Sequence, residues 1–183
     1  MNTYRLVIGT QVRDLPVVEV SDNLSIASFV MLGDTALIEA AADALVGRPD
    51  FRGQEIDLLV CPEAKAIPLT HAIAVRLGCN YVVVRKTVKS YMQDPLVEEV
   101  SSITTAGKQT LVLDGPDRKL LAGKRIGIID DVVSTGGSLL SLEKILERTG
   151  CRVITRAAVL LEEGGYDGRD LVYLDRLPVF RRK

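Results

Sequence analysis

One stretch decides the fold of this chain: residues 124–140, which read KRIGIIDDVVSTGGSLL. Its apolar first half is typical of a buried strand, and a helical pattern of apolar residues begins at Leu139. Two carboxylates, Asp130 and Asp131, follow the strand, and a loop of small residues separates them from the helix. A strand, a short loop and a helix in this order predict an α/β fold with a ligand site at the carboxyl end of the strand.

The loop between strand and helix, residues 134–138, has the composition of an anion site, and we call it the cup. Its two glycines let backbone N–H groups approach a phosphate closely, and its hydroxyl side chains add further donors. The positive end of the following helix points at the same place. The alternative is an ordinary strand-to-helix turn with Asp131 and Ser134 as caps, but capping explains one acid and not two.

The two acids before the cup cannot bind the same phosphate, because their negative charges repel it. We expect Asp130 and Asp131 to accept hydrogen bonds from sugar hydroxyls instead, as an acid does in dinucleotide-binding folds. The ligand that this stretch predicts is therefore a ribose carrying a 5'-phosphate.

The stretch resembles the phosphoribosyl pyrophosphate signature of the type I phosphoribosyltransferases, in which an apolar strand, two acids and two apolar residues precede Ser/Ala-Thr-Gly-Gly-Ser/Thr. The resemblance implies an α/β fold with a mostly parallel sheet flanked by helices, a small hood segment and a mobile loop. It implies a single domain over residues 1–183, with the hood at about 1–34 plus the C-terminal segment and the core at about 35–160. The ribose 5-phosphate site would consist of Asp130, Asp131, Val132, Val133, Ser134, Thr135, Gly136, Gly137 and Ser138.

Composition places the chain among globular proteins. It has 183 residues, of which 47% are hydrophobic and 26% charged, so it can bury a core without metal or disulfide. The net charge of -1 argues against a nucleic-acid partner, because a nucleic-acid-binding protein is usually basic overall or along one face. The cysteines form an odd set without C-x-x-C spacing, and we see no apolar signal segment or membrane-length run. We therefore expect a reduced, cytoplasmic setting with no membrane partner.

Outside residues 124–140 the chain alternates predicted strands and helices. Residues 4–34 contain short β-like runs, which predict a small antiparallel or irregular unit outside the main sheet. Asp34 is a good N-cap for a helix over 35–45, and a βαβ pattern follows. We expect residues 115–117 to form a turn. The remaining predicted strands lie at 56–61, 81–85, 126–130 and 152–160, and the remaining helices at 67–77 and 138–148.

A second anion site is predicted where the strand at 56–61 ends. Backbone N–H groups at the start of the next helix and the Lys65 ammonium can meet an anion there. The run resembles the pyrophosphate loop of the family, whose pattern is acid-x-basic-Gly, although Ala66 stands where the family has glycine. The turn consists of Glu63, Ala64, Lys65 and Ala66.

The polar segment that begins near residue 86 predicts a functional loop. Lys86 and Lys89 match the two lysines of an Arg-Lys-x-x-Lys run in adenine phosphoribosyltransferases, where such cations neutralise the leaving pyrophosphate. Residues 86–110 are too long and polar for a simple connector, and residues 91–110 are similar to the mobile loop of the adenine and xanthine enzymes. The resemblance implies that residues 88–112 close over the site. We also expect residues 102–105 and Gln109–Leu113 to pair as a hairpin.

Four residues match positions that contact the base in the adenine and xanthine enzymes. Leu24 and Ser25 lie in the hood segment, Val132 follows the two acids, and Glu163 stands where the xanthine enzymes present a lysine to the oxidised base. A carboxylate repels an electron-rich oxo base but can pair with an exocyclic amine. The resemblance and Glu163 together favour adenine; the alternative for Glu163 is a surface charge.

The resemblance implies transfer of a phosphoribosyl group from phosphoribosyl pyrophosphate to a purine, with adenine giving AMP and pyrophosphate. The catalytic residues would be Asp130, Asp131 and Lys86. Mg2+ would be held mainly by the oxygens of the substrate, and no metal site of protein ligands is expected, since His71 is the single histidine. The resemblance also implies a homodimer.

Two alternatives remain open at the level of sequence. The first keeps the fold and changes the base to xanthine or guanine, although Glu163 counts against xanthine. The second is a regulator that uses the phosphoribosyl pyrophosphate site as a sensor. Thr105 supports it, because this residue replaces a glutamate that handles the base proton in the adenine enzymes, and threonine does not titrate near neutral pH.

Overall fold

The computed structural model describes residues 2–100 and 109–181, and the elements below lie within these ranges. The strands are β1 (Thr3–Ile8), β2 (Gln11–Ser21), β3 (Leu24–Ala27), β4 (Leu58–Pro62), β5 (Asn80–Val84), β6 (Leu96–Val100), β7 (Gln109–Leu113), β8 (Arg125–Val133), β9 (Arg152–Glu162), β10 (Val172–Leu177) and β11 (Val179–Arg181). The helices are α1 (Thr35–Gly47), α2 (Ile67–Leu77), α3 (Gly115–Leu121) and α4 (Gly137–Glu147).

The central sheet has five parallel strands in the order β10-β9-β8-β4-β5. Its middle strands are almost continuously apolar because helices cover both faces: Ile126 and Ile129 of β8 are fully buried, as are Leu59 and Val60 of β4. The predicted α/β fold with a mostly parallel sheet is therefore confirmed. Parallel strands bring their carboxyl ends to one edge, which is where the candidate site lies.

A second sheet, in the order β1-β2-β3-β11, is antiparallel and forms the hood. Its strand β11 comes from the far end of the chain and pairs with β3, so that Phe180 lies opposite Ser25. The inner face of the hood shares one hydrophobic cluster with α1 and α2. Asp34 caps α1, as predicted, by accepting a hydrogen bond from the Leu37 backbone N–H at 3.1 Å.

Gln109–Leu113 pairs with Leu96–Val100, and this register places Leu111 and Leu113 in the buried cluster under α4. The predicted partner of this strand, residues 102–105, lies outside the described residues. One local prediction is wrong. Residues 115–117 are not a simple turn but open the helix α3, which the Asp114 side chain caps through the Gly115 N–H. The strands β6, β10 and β11 were not predicted.

No helix in the described ranges is both long and apolar enough to cross a membrane.

Candidate functional site

A cleft of about 220 Å³ opens at the carboxyl edge of the central sheet. It adjoins a smaller cavity of about 90 Å³ over the cup, and the two share Asp130, Val132 and Ser138. The larger cleft is lined by Pro62, Glu63, Ala64, Lys65, Ala66, Lys86, Thr110, Leu111, Asp130, Asp131, Val132 and Ser138. The sheet topology thus brings the 63–66 turn, Lys86 and the acids of β8 together.

The two acids lie at the junction of the cavities. Asp131 is 7% exposed, and its backbone N–H donates to Asp130 Oδ1 at 2.8 Å. Burial raises the pKa of the Asp130 carboxyl above its ordinary value, the charge of Asp131 raises it further, and the charge of Lys86 opposes this. A ligand that donates hydroxyl hydrogens or carries positive charge would therefore favour the ionised form of Asp130.

The cup is built around a glycine in the left-handed region. Gly136 is the N-cap of α4, with φ 80°, and a Cβ atom on it would lie 2.6 Å from Cδ2 of Tyr166. No other residue type fits here, because the backbone conformation and the tyrosine ring both exclude a side chain. The start of α4 follows directly, so its backbone N–H groups and positive dipole end face the smaller cavity. Such a loop can bind a phosphate.

Residues 162–166, which begin at the last residue of β9, pack against the cup, and we call them the brace. The Tyr166 N–H donates to the Ser134 carbonyl at 2.8 Å, and the Ser134 hydroxyl donates to the Glu162 carboxylate. Gly165 lies so close to Ser134 that a Cβ atom on it would be 2.2 Å from the Ser134 carbonyl oxygen. Glu162 and Tyr166 were not predicted as site residues from the sequence, although the paired glycines at 164 and 165 indicate a close backbone contact.

The 63–66 turn connects β4 to α2 and forms the opposite wall of the cleft. Lys65 is exposed there, and Ala64 is joined to Glu63 by a cis peptide bond. Ala66 has φ -78° and ψ -12°, a helical conformation open to any residue. Alanine in place of the family glycine is therefore compatible with the backbone of this turn.

Glu63 links the 63–66 turn to the segment that follows β5. Its carboxylate accepts a hydrogen bond from the Lys86 backbone N–H at 3.1 Å and lies 3.3 Å from Nε of Arg85. The Lys86 carbonyl accepts a hydrogen bond from the Thr110 hydroxyl at 2.8 Å. These contacts fix the Lys86 backbone at the cleft while its side chain stays exposed. Lys89 is half-buried and is not part of either cavity lining.

The four candidate base contacts are not brought together. Val132 lines both cavities, whereas Ser25 faces a separate cavity of about 440 Å³ in the hood, beside Phe180 and Arg181. Leu24 is the half-buried first residue of β3. Glu163 is exposed in the brace and donates its backbone N–H to the Leu177 carbonyl at 2.9 Å.

Glu163 has one further neighbour in the hood. Burial raises the pKa of the Tyr4 hydroxyl, and the charges of Asp175 and Glu163 raise it further, so the brace carboxylate lies near β1. Thr105 and the predicted strand at 102–105 lie outside the described residues.

Known proteins share this fold and sequence pattern. The family model of the phosphoribosyl transferase domain matches residues 31–177. A hypoxanthine/guanine phosphoribosyltransferase of Methanosarcina acetivorans is 33% identical over 133 residues, which make up 73% of this chain and 65% of that protein. An adenine phosphoribosyltransferase of Desulfitobacterium hafniense is 34% identical over 139 residues, or 76% of each chain. The chain thus spans less than two thirds of the first of these relatives.

A solved structure supports the same assignment. The crystal structure of adenine phosphoribosyltransferase from Thermoanaerobacter pseudethanolicus matches with a TM-score of 0.68 at 26% identity, covering 80% of this chain and 84% of that one. The family match covers most of the chain and includes the cup, the two acids and the 63–66 turn. The chain therefore belongs to the type I phosphoribosyltransferase family.

Proposed function

We propose that this protein transfers a phosphoribosyl group from phosphoribosyl pyrophosphate to a purine nitrogen and releases pyrophosphate, with adenine as the base and AMP as the product. One observation carries the proposal. The half-buried Asp130 and the buried Asp131 line the cleft between the helix-start cup and the cations Lys65 and Lys86. A sugar bearing a phosphate at one end and a pyrophosphate at the other matches this order of groups.

The residues of the cleft would act in three ways. The cup would hold the 5'-phosphate through backbone N–H groups and hydroxyls. Asp130 and Asp131 would accept hydrogen bonds from the ribose hydroxyls and favour the positive charge that develops on the sugar as pyrophosphate leaves. Lys65 and Lys86 would offset the negative charge of the leaving group.

Mg2+ fits the donor set of the cleft, because Asp130 and Asp131 offer the carboxylate oxygens that this ion prefers. When bound with the substrate, Mg2+ would neutralise part of the pyrophosphate charge. The described residues contain no group of three or more His, Cys, Asp or Glu side chains arranged to hold a metal ion. We therefore propose that the oxygens of phosphoribosyl pyrophosphate supply most of the ligands.

The choice of base rests on Glu163. Its carboxylate lies in the brace, near the hood residue Tyr4, and could accept a hydrogen bond from the exocyclic amine of adenine. A second candidate is a 6-oxopurine such as hypoxanthine or guanine, because relatives named for these bases match about as well as one named for adenine. In either case we propose a cytoplasmic homodimer, as the family resemblance implies.

A product assay separates these possibilities. The protein is incubated with phosphoribosyl pyrophosphate, Mg2+ and one base at a time: adenine, hypoxanthine, guanine or xanthine. We expect AMP from adenine and a preference over the oxo bases. No nucleotide from any base would contradict the transferase proposal, and a preference for an oxo base would contradict the adenine assignment alone.

Two variants sharpen this assay. Asp131→Asn should weaken binding of phosphoribosyl pyrophosphate by about tenfold, because a charge-assisted hydrogen bond to a sugar hydroxyl is lost. Glu163→Lys should shift the preference away from adenine. Unchanged donor affinity in the first variant would remove the sugar-binding role of Asp131, and identical base profiles would remove the base-selecting role of Glu163.

A further inference from the structure

One hydroxyl of the cup, that of Ser134, already has a hydrogen-bond partner within the protein. Ser134 lines the smaller cavity, yet its hydroxyl donates to the carboxylate of Glu162. A serine hydroxyl has a single hydrogen to donate, so in this arrangement it cannot also donate to a phosphate. Glu162 itself has no part in the roles proposed above.

Glu162 reaches Ser134 because of strand register. The parallel strands β8 and β9 pair Val133 with Leu161, so the residues that follow this pair, Ser134 and Glu162, lie side by side at the sheet edge. Both side chains are half-buried, which strengthens a hydrogen bond to a carboxylate relative to the same bond in water. The contact is thus a consequence of the fold rather than of a chance approach of two surface residues.

The Glu162 contact is one of several that hold the same residue. The Ser134 carbonyl accepts the Tyr166 N–H, Gly165 packs on that carbonyl, and the Tyr166 ring covers Gly136. Residues 162–166 are not part of the lining of the smaller cavity, so the backbone of the cup is held from outside that cavity. A loop that is already ordered loses less conformational freedom when it binds an anion.

We infer that Glu162 is a positioning residue for the phosphate site: its carboxylate fixes Ser134 so that the cup is ordered before the ligand arrives. The inference rests on the proposed phosphoribosyl function. The phosphate is then bound by backbone N–H groups and by the hydroxyls of Thr135 and Ser138, which are exposed in the cup. Glu162 acts through Ser134 and does not touch the reacting atoms.

The test is a double-mutant cycle read by calorimetry, with ribose 5-phosphate as the probe. Glu162→Ala and Ser134→Ala should each weaken its binding by about fivefold to tenfold. The double variant should bind no more weakly than either single variant, because both changes remove the same bond. Glu162→Gln should bind within about twofold of the unchanged protein, since the amide oxygen still accepts the serine hydrogen.

Kinetics separate positioning from a general loss of structure. In Glu162→Ala, KM for phosphoribosyl pyrophosphate should rise by the same factor by which ribose 5-phosphate binding weakens. The kcat at saturating donor should change by less than about twofold. The matched control is Glu143→Ala, which removes another half-buried carboxylate, paired with Arg156 near the brace, and should leave ribose 5-phosphate affinity unchanged. Glu162→Gln keeps the test valid even if the alanine variant does not fold.

The outcomes are distinct. Additive effects, unchanged affinity in Glu162→Ala, or tighter binding once the Ser134 hydroxyl is released would each overturn the inference. If the unchanged protein fails to bind ribose 5-phosphate at all, the proposed function fails instead. Binding of ribose 5-phosphate that is insensitive to Glu162 leaves the proposed function standing and removes only the positioning role.

Discussion

The two anion-binding walls of the cleft are built differently. The cup is held from behind by the brace, its central glycine is covered by the Tyr166 ring, and its donors belong mainly to the backbone. The opposite wall offers the exposed side chains of Lys65 and Lys86. Backbone donors in a packed loop are fixed in space, whereas lysine ammonium groups on flexible stems adapt to a charge that moves.

This difference matches the proposed reaction. The 5'-phosphate stays on the sugar throughout, so a rigid site for it keeps the ribose in place. The pyrophosphate must be bound, neutralised and then released, which suits exposed point charges. Changes in the cup should therefore act on donor binding, whereas changes in the lysine wall should act mainly on the step in which the leaving group departs.

The largest effect is expected from a side chain at the centre of the cup. Gly136→Val should weaken ribose 5-phosphate binding by at least about 100-fold, because it adds left-handed strain and forces the Tyr166 ring away. Calorimetry measures the affinity. Gly150→Ala is the control: it also has a positive φ, of 75°, but nothing lies within 4 Å of its added Cβ. Retained affinity in Gly136→Val would contradict the rigid-cup description.

A smaller effect is expected on the lysine wall. Lys86→Ala should lower kcat for nucleotide formation by roughly tenfold, since one charge-assisted contact to the leaving pyrophosphate is lost. Ribose 5-phosphate affinity, which does not involve the pyrophosphate, should stay nearly constant. The exposed Lys119 of α3 provides the control through Lys119→Ala. A loss of ribose 5-phosphate binding equal to the loss in rate would erase the distinction between the two walls.

Asp130, which lies between the walls, should make the ligand-free protein less stable as pH rises. The native pKa of Asp130 lies above its ordinary value of 3.8, so between these two values the native state holds a proton that the unfolded chain releases. Asp130→Asn removes this pH dependence. Its Tm should exceed that of the unchanged protein by at least about 4 °C at pH 8 and by little near pH 4.

Thermal unfolding without ligand, followed across this pH range, measures the difference between the Asp130→Asn variant and the unchanged protein. Binding of phosphoribosyl pyrophosphate should be weakened in the same variant. A lower Tm for Asp130→Asn at pH 8 would show that the buried charge is compensated rather than costly.

The smallest effect, with the opposite pH sign, is expected in the hood. The Arg13 guanidinium hydrogen-bonds Asp34 at 2.6 Å and holds the pKa of that carboxyl below its ordinary value of 3.8. Asp34→Ala should lower Tm by about 2 °C at pH 7, since a helix cap is lost. This difference should shrink as pH falls through the native pKa of Asp34, because protonation removes the ionic bond to Arg13 while the neutral carboxyl can still cap the helix. If the Tm difference between Asp34→Ala and the unchanged protein stayed the same in acid, the ion pair of Asp34 with Arg13 would not contribute to stability.

Local sequence signals predicted part of this architecture well. The cap at Asp34 is confirmed, and the helix predicted over 67–77 coincides with α2, because capping and apolar periodicity are local properties. The order of apolar strands and crossover helices also led to the parallel sheet. These signals placed the acids of β8 and the 63–66 turn at one edge, where they line one cavity.

Contacts between distant parts of the chain were not predictable in the same way. The pairing of β11 with β3 joins residues about 150 positions apart, and β11 has only three residues. Which strand pairs with Gln109–Leu113 depends on tertiary packing, because the observed pairing buries Leu111 and Leu113 in the hydrophobic cluster that includes α4. The hydrogen bond from Ser134 to Glu162 follows from the register of β8 against β9, which no local pattern specifies.

The most direct measurement is a crystal structure of the protein with ribose 5-phosphate. We predict that the phosphate lies within hydrogen-bonding distance of the backbone N–H groups of Gly136, Gly137 and Ser138, with the ribose hydroxyls on Asp130 and Asp131. A phosphate bound instead at Lys65 and Lys86, with the cup empty, would contradict the account.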